Sequence, residues 1–346
     1  MTDEEKSPGW DAIDAALKPI YKDEKPQHYG TAVPYALGGP DPIHGISAYP
    51  RSNPDHWHIV TYGFTELWAK ESDDKETSGY GFELTFRIAR AKSEEKPPVW
   101  ALNMMQNLGR YVFSTGNVFG VGHHMPLNGP ICVGSDTLIH AVLFGADPEL
   151  GEFTSENGKA RFIQIVGITM DELALAMEWN TESMLREMRA LHPLLVTTLD
   201  RSSILKDRAT EQRLRALADA EGSSMEYSGL DEKGRFIPGR PLVWELGALW
   251  IENLKKGLKG RTLHDRPYAL VGSQREVQLL PGKKSAAFLA ENVLTLTLTP
   301  GLARAMMASL QPKRGEYSWP ELPGFVLRVV PTEVKGQKGG IDSVVG

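Results

Sequence analysis

Phe82, Leu84, Phe86 and Ile88 alternate with Glu83, Thr85 and Arg87. A repeat of two puts each set on its own face of an extended strand, which a helix cannot do. The chain must therefore build a sheet with an apolar face along this segment. A different spacing follows it. Pro97-Pro98 opens a stretch in which Ala101, Met105, Leu108 and Val112 fall on one helical stripe. Strand and helix in such close succession predict a mixed architecture.

The rest of the chain reads in the same way. Ser7-Pro8 starts a helix carrying Trp10, Ile13 and Leu17, and Pro19 and Pro26 break its pattern. Pro34–Pro42 is turn chemistry. His56–Tyr62 is a strand, and Asp73–Gly79 is a polar loop. Phe162–Ile168 is a nearly continuous apolar run, as in a central strand. Thr169 and Glu172 form a capping box for a helix with Leu173, Met177 and Leu185. Glu211–Ala220 is a charged helix. Leu242–Trp250, Tyr268–Val271, Val293–Thr299 and Phe325–Val329 read as strands. Thr299-Pro300 starts a helix with Leu302, Met306 and Leu310. The stretch from Glu221 to Arg240 is rich in Gly, Ser and charge, and the domain boundary is placed there. The expectation is an α+β protein of two domains, each a sheet with packed helices, over 1–230 and 231–336. Residues 337–346 read as a disordered tail.

Composition narrows the functional classes. The 346 residues are 41% hydrophobic and 24% charged, enough for two globular cores. A formal net charge of -6 gives no general attraction to phosphate backbones, so nucleic acid is not expected as a direct partner. No run approaches the roughly 20 apolar residues of a membrane span, and the acidic segment Met1–Pro8 does not read as a secretory signal. Cys132 is the single cysteine, so neither an internal disulfide nor a thiolate zinc cage can form. These features fit a reducing cytoplasm.

The sequence has no Walker phosphate loop, dinucleotide fingerprint, nucleophile elbow or zinc-protease helix motif. Histidine offers the best route to chemistry. His56 and His58 share one face of a strand, and His123-His124 sit in a glycine-flanked loop with Asp136 and His140 nearby. A metal-dependent hydrolase could be drawn from His56, His58, His123 and His124. The competing assignment makes His56 and His58 sheet histidines bonded to neighbours, and no third ligand stands at a diagnostic spacing. Cys132 lies between Ile131 and Val133 with no adjacent cation to activate it, which suits a small core residue. No cofactor or metal is expected.

A longer series of blocks carries a family resemblance. Leu37-Gly-Gly-Pro-Asp-Pro42, Pro54-Asp-His-Trp-His58 with Tyr62-Gly63, Ser78–Arg87 and Gly109-Arg-Tyr-Val-Phe113 occur in that order. Phe162–Gly167, Trp179-Asn180, Leu258–His264 and Glu316-Tyr-Ser-Trp-Pro320 follow them. From about residue 30 to 331 the chain resembles the suppressor of fused family. The resemblance implies a non-enzymatic module whose two mixed α/β domains close on a short extended peptide, added as a strand between them. It implies a partner-binding cleft involving Leu37, Gly38, Gly39, Asp41, Tyr111, His123 and His124. For the Leu37–Pro42 turn, a scaffold role is equally open, since two glycines and flanking prolines suit a tight turn.

Two departures bear on the partner. The animal proteins carry a tryptophan where this chain has Ala36, and an aspartate where it has His123. The long serine-rich, acidic insertion of the animal proteins is also replaced by the short Glu221–Arg240 segment. In this the chain resembles compact bacterial members, for which the family implies an immunity-type role against toxins.

Overall fold

The computed structural model describes residues 6–33, 35–335 and 341–346. Two compact units divide the chain. The first comprises Met1–Ala174 and Thr181–Glu211, the second Leu175–Asn180 and Gln212–Gly346.

The first unit contains α1 (Pro8–Tyr21), β1 (Gln27–Gly30), β2 (Gly45–Arg51), β3 (His56–Tyr62), β4 (Thr77–Ala89), α2 (Val99–Thr115), β5 (His124–Pro126), β6 (Ile139–Ala146), β7 (Glu152–Ser155) and β8 (Gly158–Thr169). Of the helices that follow, α4 (Thr181–Leu191) belongs to the first unit, while α3 (Met170–Glu178) and α5 (Arg208–Glu221) each start in the first unit and end in the second. The strands form one sheet in the order β1-β2-β3-β4-β8-β6-β5, with β7 paired to β8. β4 and β8 run parallel, and the other pairings are antiparallel. Pro19 does not end α1, which runs on to Tyr21. The expected capping box at α3 is half formed: Glu172 Oε2 accepts the Thr169 amide at 2.9 Å, while the Thr169 hydroxyl bonds Asp171.

The sheet is buried on both faces. Phe82, Leu84, Phe86 and Ile88 join Trp57, Ile59, Ile163 and Ile165 under the Ala101, Met105, Leu108 and Val112 stripe of α2. On the opposite face Val60, Tyr62 and Phe162 pack on Ile13, Leu17 and Tyr21 of α1. The polar set of β4 therefore does not meet water: Glu83, Thr85 and Arg87 are all fully buried. Such groups are tolerated where they find hydrogen-bond partners. Glu83 Oε1 accepts from the Gly63 amide (2.9 Å), the Thr65 amide (3.0 Å) and the Thr65 hydroxyl (2.7 Å), and Oε2 from the Thr61 hydroxyl (2.6 Å). Burial still pushes the Glu83 carboxyl above its usual range, against the pull of these donors.

The second unit contains β9 (Tyr227–Gly229), β10 (Arg235–Ile237), β11 (Leu242–Gly247), α6 (Ile251–Gly260), β12 (Tyr268–Val271), β13 (Glu276–Pro281), β14 (Ala286–Ala290), β15 (Val293–Leu298), α7 (Pro300–Ser309), β16 (Gly315–Tyr317), β17 (Phe325–Val330), β18 (Thr332–Lys335) and β19 (Ile341–Val345). They make a four-stranded sheet β10-β11-β17-β16, a five-stranded sheet β14-β15-β13-β12-β9, and a β18–β19 pair. Leu254, Leu258, Leu302 and Met306 from α6 and α7 share a core with Leu270, Leu279, Leu296 and Leu327 from the sheets. The thread from Glu221 to Arg240 carries β9 and β10. Residues 337–340 of the expected tail lie outside the described residues, as does Pro34 of the turn. Ile341–Val345 form a strand against Thr332–Lys335 where the sequence reading has a loose end.

Candidate functional site

The expected binding residues of the first unit gather around the second half of α2. The Leu37–Pro42 turn is tied to that helix by an Asp41–Arg110 ion pair and by Gln106, which donates to Ile43 O at 2.9 Å. Gly38 has φ +86°, a left-handed conformation that glycine adopts without strain. Gly39 is buried, whereas Leu37 is 77% exposed. Next to Arg110 in the helix, Tyr111 is 40% exposed and stacks on Phe119 with ring centroids 5.7 Å apart. Phe119 is buried and stacks in turn on Phe144 of β6 at 4.3 Å. Tyr35 meets Phe113 edge-on at 5.6 Å. The result is an aromatic layer anchored in the core, with Tyr35, Leu37, Tyr111 and Val118 all at least 40% exposed above it.

The histidine loop borders this layer. The Phe144 amide donates to His123 O at 2.9 Å, and the Gly120 amide donates to His123 Nδ1 at 3.2 Å. With Nδ1 occupied as an acceptor, the exposed ring presents Nε2–H as a donor. His124 is half-buried, with Nδ1 3.4 Å from the Thr181 hydroxyl. Burial, and then the neighbouring His123, hold its pKa below the ordinary imidazole value.

β5 is the outermost strand of the sheet on this side. The Leu127 amide bonds His140 O and the Phe144 amide bonds His123 O, so the odd-numbered residues turn their backbone toward β6. By the alternation of an antiparallel ladder, His124 turns its N–H and C=O to the open side. Pro126 offers only its carbonyl there. This edge lies next to the exposed aromatic layer.

The second set of histidines is elsewhere. His56 and His58 are fully buried on β3. His58 Nδ1 accepts from the Tyr21 hydroxyl, and its Nε2 stands 3.6 Å from Asp147, which also pairs with Arg87. His56 Nδ1 bonds Pro54 O at 2.6 Å. β3 and β5 are four steps apart in the strand order. At about 4.8 Å per strand this is roughly 19 Å, beyond the span of one metal's ligand shell. Among the described residues no group of three His, Cys, Asp or Glu side chains could hold a metal ion. The hydrolase assembled from His56, His58, His123 and His124 thus has no common site. Buried in a sheet and held by a tyrosine and a backbone carbonyl, His58 and His56 are structural.

Phe119, Val118 and Tyr35 escaped the sequence reading. A phenylalanine between two glycine-bearing turns, Gly116 and Gly120, has no period to mark it. The nearby aromatics Tyr111 and Phe113 were the available signal.

Known proteins resemble this chain in sequence and in fold. Residues 39–202 match the family model described as Suppressor of fused protein. The human Suppressor of fused homolog is 33% identical over 243 residues, covering 65% of this chain and 50% of the human protein, and the mouse homolog matches equally. The chain spans about half the length of these curated relatives. The crystal structure of Drosophila Suppressor of Fused shares the fold, with a TM-score of 0.81 over 94% of this chain and 97% of that one, at 22% identity. A chain of the Sufu–Fu complex crystal structure is 32% identical, covers 60% of this chain and 98% of its own length, and gives a TM-score of 0.56. No helix among the described residues is long and apolar enough to cross a membrane. The motif blocks, the mixed α+β fold and these relatives agree: the chain belongs to the suppressor of fused family.

Proposed function

We propose that this chain is a non-enzymatic module that binds another protein, taking an extended segment of it as an added strand beside β5. The observation that carries the proposal is the pairing of an open strand edge at His124 with an exposed aromatic layer, Tyr35, Leu37, Tyr111 and Val118. Edge amides give an extended peptide its backbone bonds, and apolar neighbours give its side chains something to bury. The match to a chain of the Sufu–Fu complex supports protein binding as the general activity. In the second unit β9 is likewise an outer strand.

The chemistry of the partner follows from His123. With Nε2–H as its exposed donor, this residue favours an acceptor such as a carboxylate or hydroxyl, where an aspartate would favour a cation. The proposed partner segment therefore carries an acidic or hydroxyl side chain opposite His123. The compact Glu221–Arg240 segment extends the proposal to toxin immunity, with the toxin supplying that segment.

Hydrogen exchange on a complex captured from the native cell tests this reading. The His124 amide slows on binding if the segment adds to β5. Protection confined to other surfaces would refute the site. For the finer role, co-expression with a toxin encoded beside the gene restores growth, and growth arrest despite co-expression contradicts immunity.

A further inference from the structure

The second unit has an edge that is not blunted. β14, Ala286-Ala-Phe-Leu-Ala290, bonds β15 on one side and is the last strand of its sheet on the other. Folded proteins protect such edges with charges, proline or very short strands. The other outer strands here follow that rule. β1 is four residues long and β9 three, β5 ends in Pro126, β10 and β16 are three residues long with Arg235 and Glu316, and the sequences of β7, β18 and β19 include an acidic residue. Among the described residues, β14 alone is an outer strand of five residues with no charge, proline or glycine. Its inner face, Ala287 and Leu289, packs on the core, while Phe288 on the other face is 66% exposed.

The flanks of β14 indicate what covers it. Lys283 and Lys284 stand exposed before the strand and Glu291 stands exposed just after it. Two copies running antiparallel would bring the lysine end of each strand beside the glutamate end of the other. A parallel arrangement would instead set like charges together. Side chains opposite one another in an antiparallel pair lie on the same face. A two-fold axis at Phe288 sets the two phenylalanines against each other and Ala286 against Ala290 of the second copy.

We infer that β14 is a self-association edge, through which two copies of this chain join their five-stranded sheets into one continuous sheet. The contact is small, which places it among weak, transient interfaces. It lies in the second unit and does not depend on the proposed β5 site.

Sedimentation velocity over about 1–200 µM, a range suited to weak interfaces, tests the inference. The wild-type protein shifts from monomer to dimer across the range. Phe288→Lys, on an exposed side chain, leaves the far-ultraviolet spectrum and melting temperature unchanged and weakens association at least ~10-fold by opposing two cations. Lys283→Glu with Lys284→Glu also weakens it, and adding Glu291→Lys restores it. A wild-type protein that stays monomeric throughout overturns the inference. So does a dimer indifferent to Phe288→Lys, or one weakened by the charge swap and not rescued. An edge occupied only by a foreign protein overturns it as well.

Discussion

Arg87 donates to both carboxylate oxygens of Asp147, Nη1 to Oδ2 at 2.5 Å and Nη2 to Oδ1 at 3.0 Å, and neither side chain is exposed. The pair sits on the polar face of β4. Asp147 also accepts the Thr85 hydroxyl at 2.6 Å and the amides of Glu149 and Leu150, each at 2.9 Å. Burial alone would raise the Asp147 carboxyl, but His58 and the Arg87 guanidinium outweigh it and hold the group well below the usual carboxylate range. Removing one partner leaves the other charge buried. Asp147→Ala is expected to cost about 3–5 kcal/mol in urea unfolding. A loss below about 1 kcal/mol, the scale of an exposed pair, would show that the cluster does not hold the sheet together.

His58 makes the fold sensitive to acid. Burial, and then the charge of Arg87, lower its pKa from 6.5 to about 4. The unfolded chain therefore binds a proton before the folded one does. Stability contributed by neutral His58 is complete above pH 6.5 and is lost as pH falls toward 4, by roughly 3 kcal/mol at most. His28, His44, His56 and His124 are lowered in the same sense, chiefly by burial, and steepen the slope. Denaturant titrations at several pH values should show a steeper fall for the wild type than for His58→Gln. Parallel curves would remove His58 from the account.

Glu83 distinguishes hydrogen bonding from charge. Glu83→Gln keeps Oε1 as the acceptor for Gly63 and Thr65, while its amide meets the Thr61 hydroxyl. Glu83→Ala leaves two buried amides without an acceptor, at about 1–3 kcal/mol each. The alanine variant is expected to melt well below the glutamine variant. Equal melting temperatures would mean that these bonds contribute little.

The period-two alternation at β4 and the helical stripe of α2 were legible because each is local. The burial of the second face was not, since Arg87 finds its acid 60 residues away. β6 was missed because His140 and Gly145 interrupt its apolar run. α6 was missed for a similar reason: Gly257 and Gly260 lower helix propensity. Packing requires the first of them, since a Cβ at Gly257 would lie 2.1 Å from the Tyr268 ring. At the candidate site, motif resemblance pointed to the turn, Tyr111 and the histidine loop. The stack through Phe119 that joins them exists only in three dimensions.

The most direct test of the central claim is a binding titration of the partner captured from the native cell. Wild type, Tyr111→Ala and His123→Asp are compared under one set of conditions. Tyr111 is an aromatic anchor at the surface of a packed stack, so Tyr111→Ala is expected to cost about 2 kcal/mol, or roughly 30-fold in Kd. His123→Asp replaces a donor by an anion, and opposite a partner carboxylate it too should weaken binding. If all three proteins bind with the same Kd, the partner uses another surface and the β5 edge is not the binding site.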